Sequence, residues 1–345
     1  MGKQVKTPRF YVDMPTFLHA TGQLGWDSVL GGAELLYMNC ANPNVSEGTN
    51  DLFKIGNTDN DPKTSIPINF VALLNHNLNT DPNGVTVRSY KGLDENVTPN
   101  EILNTATGSA EIINSQGLYN GTSIFEFTEQ NDYFRGFVIY SAGDGYAAQN
   151  PQLGSMVVGK YFDCPHTPDL NLTMSRRFDG IKRQRTVGGK TLANIYYDGP
   201  TEWTMNNADG TTYKYPPFEL DTTSDEFNQR VKSGIGRKGL RSWKLTFSYI
   251  TESDMWIDNE VSNTLISDGE STPENNDPNP MLSDNSFNFV WNCTLGGTLP
   301  FIFTDDKDSN EPDRYAICNF RENSLSVQQV AFNTYKVSMT IDEIA

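Results

Sequence analysis

Trp243, Leu245, Phe247 and Tyr249 alternate with Lys244, Thr246 and Ser248, so the large apolar side chains of this run share one face of an extended chain. A period of two is that of a half-buried antiparallel strand. Short aromatic or β-branched runs bounded by Gly, Asn, Asp and Pro recur at 66–74, 85–90, 123–127, 133–140 and 335–341, and such runs read as strands. Helical signals are few. Residues 287–292 predict a short helix behind the cap-like Ser283-Asp284 and ahead of Gly296-Gly297, and residues 223–233 predict another, opened by Thr223, Ser224 and Asp225. The fold class expected is mainly β, with two β-sandwich- or barrel-like domains and few short helices.

The 345 residues suit two or three domains. Residues 51–155 read as a compact β-sandwich with turns about every 8–12 residues. Residues 156–345 read as a second β unit, the assembly domain, whose acidic insertion around 258–284 holds Asp277-Pro278-Asn279-Pro280 and predicts a surface loop. Residues 1–50, rich in Gly and Asn, show few clear strands and read as an N-terminal arm or a part of that assembly domain.

Acidic residues outnumber basic ones 43 to 26, for a net charge of −17. That balance argues against a general polyanion binder, because the summed field repels phosphates. No apolar run approaches the ~18 residues a membrane-spanning helix needs, so no membrane span is expected. Met1-Gly2-Lys3-Gln4-Val5-Lys6 lacks the apolar stretch of a secretory signal, and Lys6 stands where myristoylation wants Ser or Thr. Cys40, Cys164, Cys293 and Cys318 form no CxxC pair and are expected as reduced, mostly buried thiols. His19, His76 and His166 show no metal-ligand spacing. Cys164 and His166 flank Pro165, whereas a nucleophile and its base usually come from separate elements with a third, orienting group.

Charge is segregated along the second unit. Arg176, Arg177, Lys182, Arg183, Arg185 and Lys190 form one basic cluster; Arg230, Lys232, Arg237, Lys238, Arg241 and Lys244 form another. From 245 to 306 there is no Lys or Arg, while Glu252, Asp254, Asp258 and Glu260 open a long acidic series. Charge runs are commonly solvated faces. The other reading is a contact between neighbouring copies. The basic set Arg230, Lys232, Arg237, Lys238 and Arg241 of one would meet the acidic set Glu252, Asp254, Asp258 and Glu260 of the next, head to tail. Neither basic cluster interleaves the aromatics that nucleic-acid stacking wants, which disfavours a nucleic-acid partner.

Other motifs are fragments. Gly188-Gly189-Lys190-Thr191 ends like a phosphate loop, but Gln184 stands where the first glycine belongs, so a hairpin turn is expected. Asp306, Asp308 and Asn310 begin like a calcium loop, yet Glu311 and Ile317 occupy the positions that need Gly and Glu. Calcium at Asp306 and Asp308 is therefore disfavoured, and no cofactor is expected.

Three stretches carry a family resemblance: Val71–Leu78 with Gly84–Arg88; Gly188–Asn194 with Trp203 and Gly239–Tyr249; and Trp291–Phe303 with Pro312–Cys318 and Gln328–Ala331. The first resembles galactose-binding-like β-sandwich modules of bacteriophage virion proteins. The other two resemble structural proteins of tailed phages, especially marine ones. The resemblance implies a virion component rather than an enzyme: a multi-copy tail protein, of distal-tail or baseplate-like ring type. Its partners would be copies of itself and other phage tail proteins. Trp243, Tyr249, Trp291 and Phe301 would then pack in the core or at an interface. An alternative is an exterior carbohydrate-binding, host-attachment module. It would use the 51–155 sandwich to bind host surface polysaccharide, with His76 and Asn77 at a ligand loop, although His76 also suits a turn hydrogen bond. A glycan-degrading enzyme is the weaker alternative, lacking a convergent acid/base pattern.

Overall fold

The computed structural model describes residues 4–21, 26–30, 33–38, 44–45, 51–57, 67–76, 78, 85–91, 100–104, 112–115, 121–130, 134–141, 151–177, 182–194, 239–257, 285–309 and 314–344. The fold is mainly β, as expected. A 12-stranded sheet runs β12 (Thr173–Arg177), β15 (Leu240–Ile250), β19 (Thr334–Glu343), β17 (Tyr315–Phe320), β16 (Phe301–Thr304), β1 (Arg9–Asp13), β11 (Gln152–Asp163), β5 (Ile68–His76), β9 (Gly121–Gln130) and β8 (Ile112–Ser115). It is completed by β18 (Ser326–Ala331) on β19 and β3 (Asn44–Val45) on β11. A 5-stranded sheet runs β2 (Trp26–Leu30), β4 (Asp51–Asn57), β10 (Phe134–Ser141), β6 (Val85–Lys91) and β7 (Asn100–Asn104). A separate hairpin joins β13 (Lys182–Arg185) to β14 (Thr191–Asn194). Among the described residues the helices are α1 (Met14–Ala20), α2 (Glu252–Met255) and α3 (Phe287–Cys293), with a 3-10 turn at Ala33–Leu36. Among the described residues no helix is long and apolar enough to cross a membrane.

The large sheet is apolar on both faces. Phe10, Val12, Val71, Leu73, Val158, Phe162, Trp243, Leu245, Phe303 and Ile341 join one core, which also takes Phe53 and Ile55 from the smaller sheet and Leu18 and Phe289 from the helices. Tyr11, Phe70, Ala72, Val157, Ile302 and Tyr315 form a second. β1 lies between the two, and all five of its residues are buried. A strand covered on both sides needs no alternation, which is why residues 1–50 looked poor in strands. Gly159 lets β1 and β11 close up there. It faces Asp13 in register, and a Cβ at this position would come within 2.1 Å of the Val12 carbonyl oxygen.

Two expectations are corrected. The boundary at 155/156 falls inside β11, which pairs with β5 on one side and β1 on the other, so both proposed units contribute to one sheet. The alternation from Trp243 holds for Leu245 and Phe247 but breaks at Tyr249, which is 81% exposed with φ 65. The β15–β19 register shifts between Phe247 and Ile250. This bulge turns Tyr249 outward and returns Ile250 to the core. Trp243, Trp291 and Phe301 are core residues. The 287–292 helix forms, but Ser286 rather than Ser283 caps it, its Oγ accepting from Phe289 N at 3.2 Å. The 223–233 helix and Cys40 lie outside the described residues. Cys164, Cys293 and Cys318 are buried and form no disulfide among the described residues.

Candidate functional site

Of the expected interface residues, Arg230, Lys232, Arg237 and Lys238 on the basic side, and Asp258 and Glu260 on the acidic side, lie outside the described residues, as does Asn77. Arg241 is described and sits inside the molecule. It is 6% exposed and sends its guanidinium to Glu343, Nη2 lying 3.0 Å from Oε1, and to the Tyr315 carbonyl at 2.7 Å. Its backbone N–H also donates to Glu343 Oε2 at 2.8 Å, and its guanidinium lies over the Trp243 ring at 4.8 Å. Arg241 is thus not a surface group, contrary to the sequence expectation, because β15 turns it toward the carboxylate that β19 carries into the same layer.

Glu252 is exposed on α2 and Asp254 is half-buried there. Glu252 N–H donates to Asn333 Oδ1 at 3.0 Å, which ties α2 to the turn between β18 and β19. His76 is 4% exposed and its Nδ1 accepts from Leu78 N–H at 3.3 Å, so it closes a turn and is not presented to a ligand. Asp306 is buried beside Lys6 (2.9 Å) and Arg314 (3.6 Å), while Asp308 turns outward to Lys307 (2.7 Å), which holds its carboxyl below the usual range. The two carboxylates face different cations. Among the described residues no group of three or more His, Cys, Asp or Glu side chains is placed to hold a metal. Burial pushes the Cys164 thiol well up, and His166 Nδ1 lies 2.7 Å from the Thr167 carbonyl, an arrangement unsuited to an activated nucleophile.

Near the centre of the large sheet an open cleft of ≈ 390 Å³ is lined by, among others, Asn69, Glu129, Lys160, Tyr161, Asp163 and Asn285. Behind it Arg9 from β1 reaches Glu126 of β9 at 2.6 Å and Asp163 of β11, Nη2 to Oδ2, at 2.9 Å. The Arg9 guanidinium stacks on the Tyr161 ring at 3.9 Å, and Tyr11 Oη donates to Glu126. Burial works against the charge of Arg9, but the hydrogen bond to Asp163 and the nearby carboxylates raise its pKa above the ordinary value. Lys160 pairs with Glu129 at 3.2 Å, and Asn69 Oδ1 accepts from Tyr161 N–H at 2.9 Å. The two carboxylates beside Arg9 neutralise a buried cation, which suits hydrogen bonding and structural roles better than proton transfer.

The edge strand β12 and the separate hairpin differ. All five residues of β12 are exposed. In the hairpin, every residue from Arg183 to Ala193 is exposed, Val187 and Leu192 included. Gly189 takes φ 82 in its turn, where Thr186 N–H donates to the Lys190 carbonyl and Gly189 N–H to the Thr186 carbonyl. This is the expected hairpin turn in place of a phosphate loop. A second exposed group lies at the β18–β19 turn, where Phe332 is 96% exposed beside Asn333 (φ 51), with Val330 on β18 and Tyr249 on β15 also exposed. Phe332 had no signal in the sequence, since an aromatic in a tight turn resembles one in a strand. No family model matches this chain, and neither a curated protein nor a solved structure does.

Proposed function

We propose that this chain is a structural protein of a tailed-phage virion, a multi-copy tail component of distal-tail or baseplate-like type. It assembles with copies of itself and with other tail proteins through β-domain contacts and complementary charge. The observation that carries this reading is the hairpin β13–β14. Among the described residues it pairs with no third strand, and its described side chains are exposed throughout. A two-stranded hairpin alone in water is marginal, and it gains stability by packing on another surface. Residues 182–194 hold Lys182, Arg183, Arg185 and Lys190 and no Asp or Glu, in a chain of net charge −17. Such an arm suits an acidic neighbour. The edge strand β12 is a poorer contact, because Arg176 and Arg177 blunt it against strand addition.

Native mass spectrometry and negative-stain imaging of the purified chain test the proposal. Closed rings are expected, weakening as salt rises, because exposed charges are screened over about 8 Å at physiological strength. A strict monomer at high concentration would overturn it. A second reading, an exterior carbohydrate-binding module, is favoured by the polar cleft with its amides and its Tyr161 ring. Its partner would be host polysaccharide, and silence on a glycan array removes it.

A further inference from the structure

We infer that the β13–β14 hairpin of one copy docks on the β18–β19 turn of the next copy, with Val187 at the hairpin tip against Tyr249 and Phe332 and with Arg183 and Arg185, which share one face of the ribbon, against Glu252 and Asp254. This rests on the assembly reading above and names the surfaces that would carry it. Each surface has what the other lacks. The hairpin offers Val187, open to solvent at its turn, beside cations: Arg183 and Arg185 share one face with Thr191 and Ala193, while Leu192 lies with Gln184 on the other. The turn offers apolar side chains beside anions: Tyr249, Val330 and Phe332 are exposed, and α2 with Glu252 and Asp254 is tied to that turn through Asn333. Lys336 on β19 offsets this acidity in part.

A contact with an apolar centre and a charged rim is the usual anatomy of a protein interface. Both surfaces are exposed among the described residues, and the contact joins two different faces of two copies. Such a head-to-tail contact propagates and closes into a ring where its rotation permits. The bulge in β15 fits this use. It sets a large aromatic residue at positive φ, a costly conformation for a bulky side chain, and in doing so directs Tyr249 outward.

Two reversed-charge variants test the contact, Arg183→Glu/Arg185→Glu and Glu252→Lys/Asp254→Lys. Each places like charges face to face, and each is expected to raise the concentration for half-assembly by at least about tenfold, read by sedimentation velocity. An equal mixture of the two restores assembly, because every contact in an alternating ring then pairs opposite charges. In parallel, Val187→Cys chains mixed with Phe332→Cys chains form an interchain disulfide under mild oxidation, beyond the background of wild-type chains treated alike. If the wild type assembles while both reversals leave it unchanged and no cross-link forms, the docking is wrong and the assembly reading survives. If the wild type is monomeric throughout, both fail. Hairpin variants that assemble normally but lose retention on a polyphosphate resin would reassign the arm to a polyanion and overturn the docking.

Discussion

The centre of the large sheet and its rim use the same side chain in opposite ways. At the centre Arg9, Arg241 and Arg314 are buried, each against a carboxylate: Asp163 and Glu126, Glu343, and Asp305 at 2.9 Å. At the rim Arg176 and Arg177 of β12 are exposed, as are Arg183 and Arg185 on the separate hairpin. Desolvating a guanidinium is expensive unless a carboxylate meets it in good geometry, so the central pairs are committed to the fold and cannot also serve a neighbour. The rim charges remain hydrated and screened. Those of the hairpin, Arg183 and Arg185, contribute little to folding and suit the steering of an encounter. A run of basic residues in the sequence therefore has no single meaning, and Arg241 shows the run being divided by the fold.

The largest test of this contrast removes a central partner. Glu343→Leu leaves the Arg241 cation buried without its carboxylate and should lower the unfolding free energy by about 3–5 kcal/mol, read from urea denaturation. A loss no larger than that of a rim substitution would erase the distinction between centre and rim. Next is Gly159→Ala, where the added Cβ meets backbone that cannot rotate aside. A loss of about 1–3 kcal/mol is expected from such overpacking, seen as a lower Tm, and an unchanged Tm would show that β1 and β11 can part without penalty.

Asp13 sharpens the comparison from the acidic side, being a buried central carboxylate whose hydrogen bonds come from Thr16 and the Val158 backbone. Burial pushes it up to about 7 from its ordinary 3.8. Over the interval between those values the native state holds a proton that the unfolded chain has released. The contribution of Asp13 to stability is therefore highest below the lower value, falls as pH rises through the interval, and levels off above about 7. Asp13→Asn keeps a side-chain acceptor at the start of α1 and should flatten that slope, with a gain of about 1–3 kcal/mol in mildly alkaline buffer. An identical pH profile in the variant would mean that Asp13 is solvated in the folded chain. The smallest effect belongs to the rim: Arg183→Ala should move stability by no more than about 0.5 kcal/mol, and a larger loss would mean that the hairpin leans on its own chain.

Strands marked by long aromatic or β-branched runs were legible in the sequence. Residues 85–90, 133–140 and 335–341 sit close to the bounds of β6, β10 and β19. β1 was not legible, because burial on both faces removes the alternation and because Arg9 and Asp13 look like loop residues until their partners arrive from distant strands. For Arg9 that partner is 154 residues away. Tyr249 was misjudged for a local reason: a bulge adds a residue and inverts the period beyond it. The turn role of His76 was readable from its position at a strand end, whereas the burial that removes it from any ligand depends on β11 packing alongside. Of the candidate site, the hairpin turn and its charge could be read directly. The exposed Phe332 could not, since only the pairing of β18 with β19 places it at a tip.

The position of β1, between β11 and β16, sets the order in which a nascent chain can finish folding. Phe10 gains its first neighbouring strand only when β11 has been made, and waits for the segment after α3 before its other hydrogen-bonding edge is covered. Between those two events the strand keeps an open edge to which a foreign strand can add. The sheet is thus closed from far along the chain, and the interval before β16 arrives is its most vulnerable.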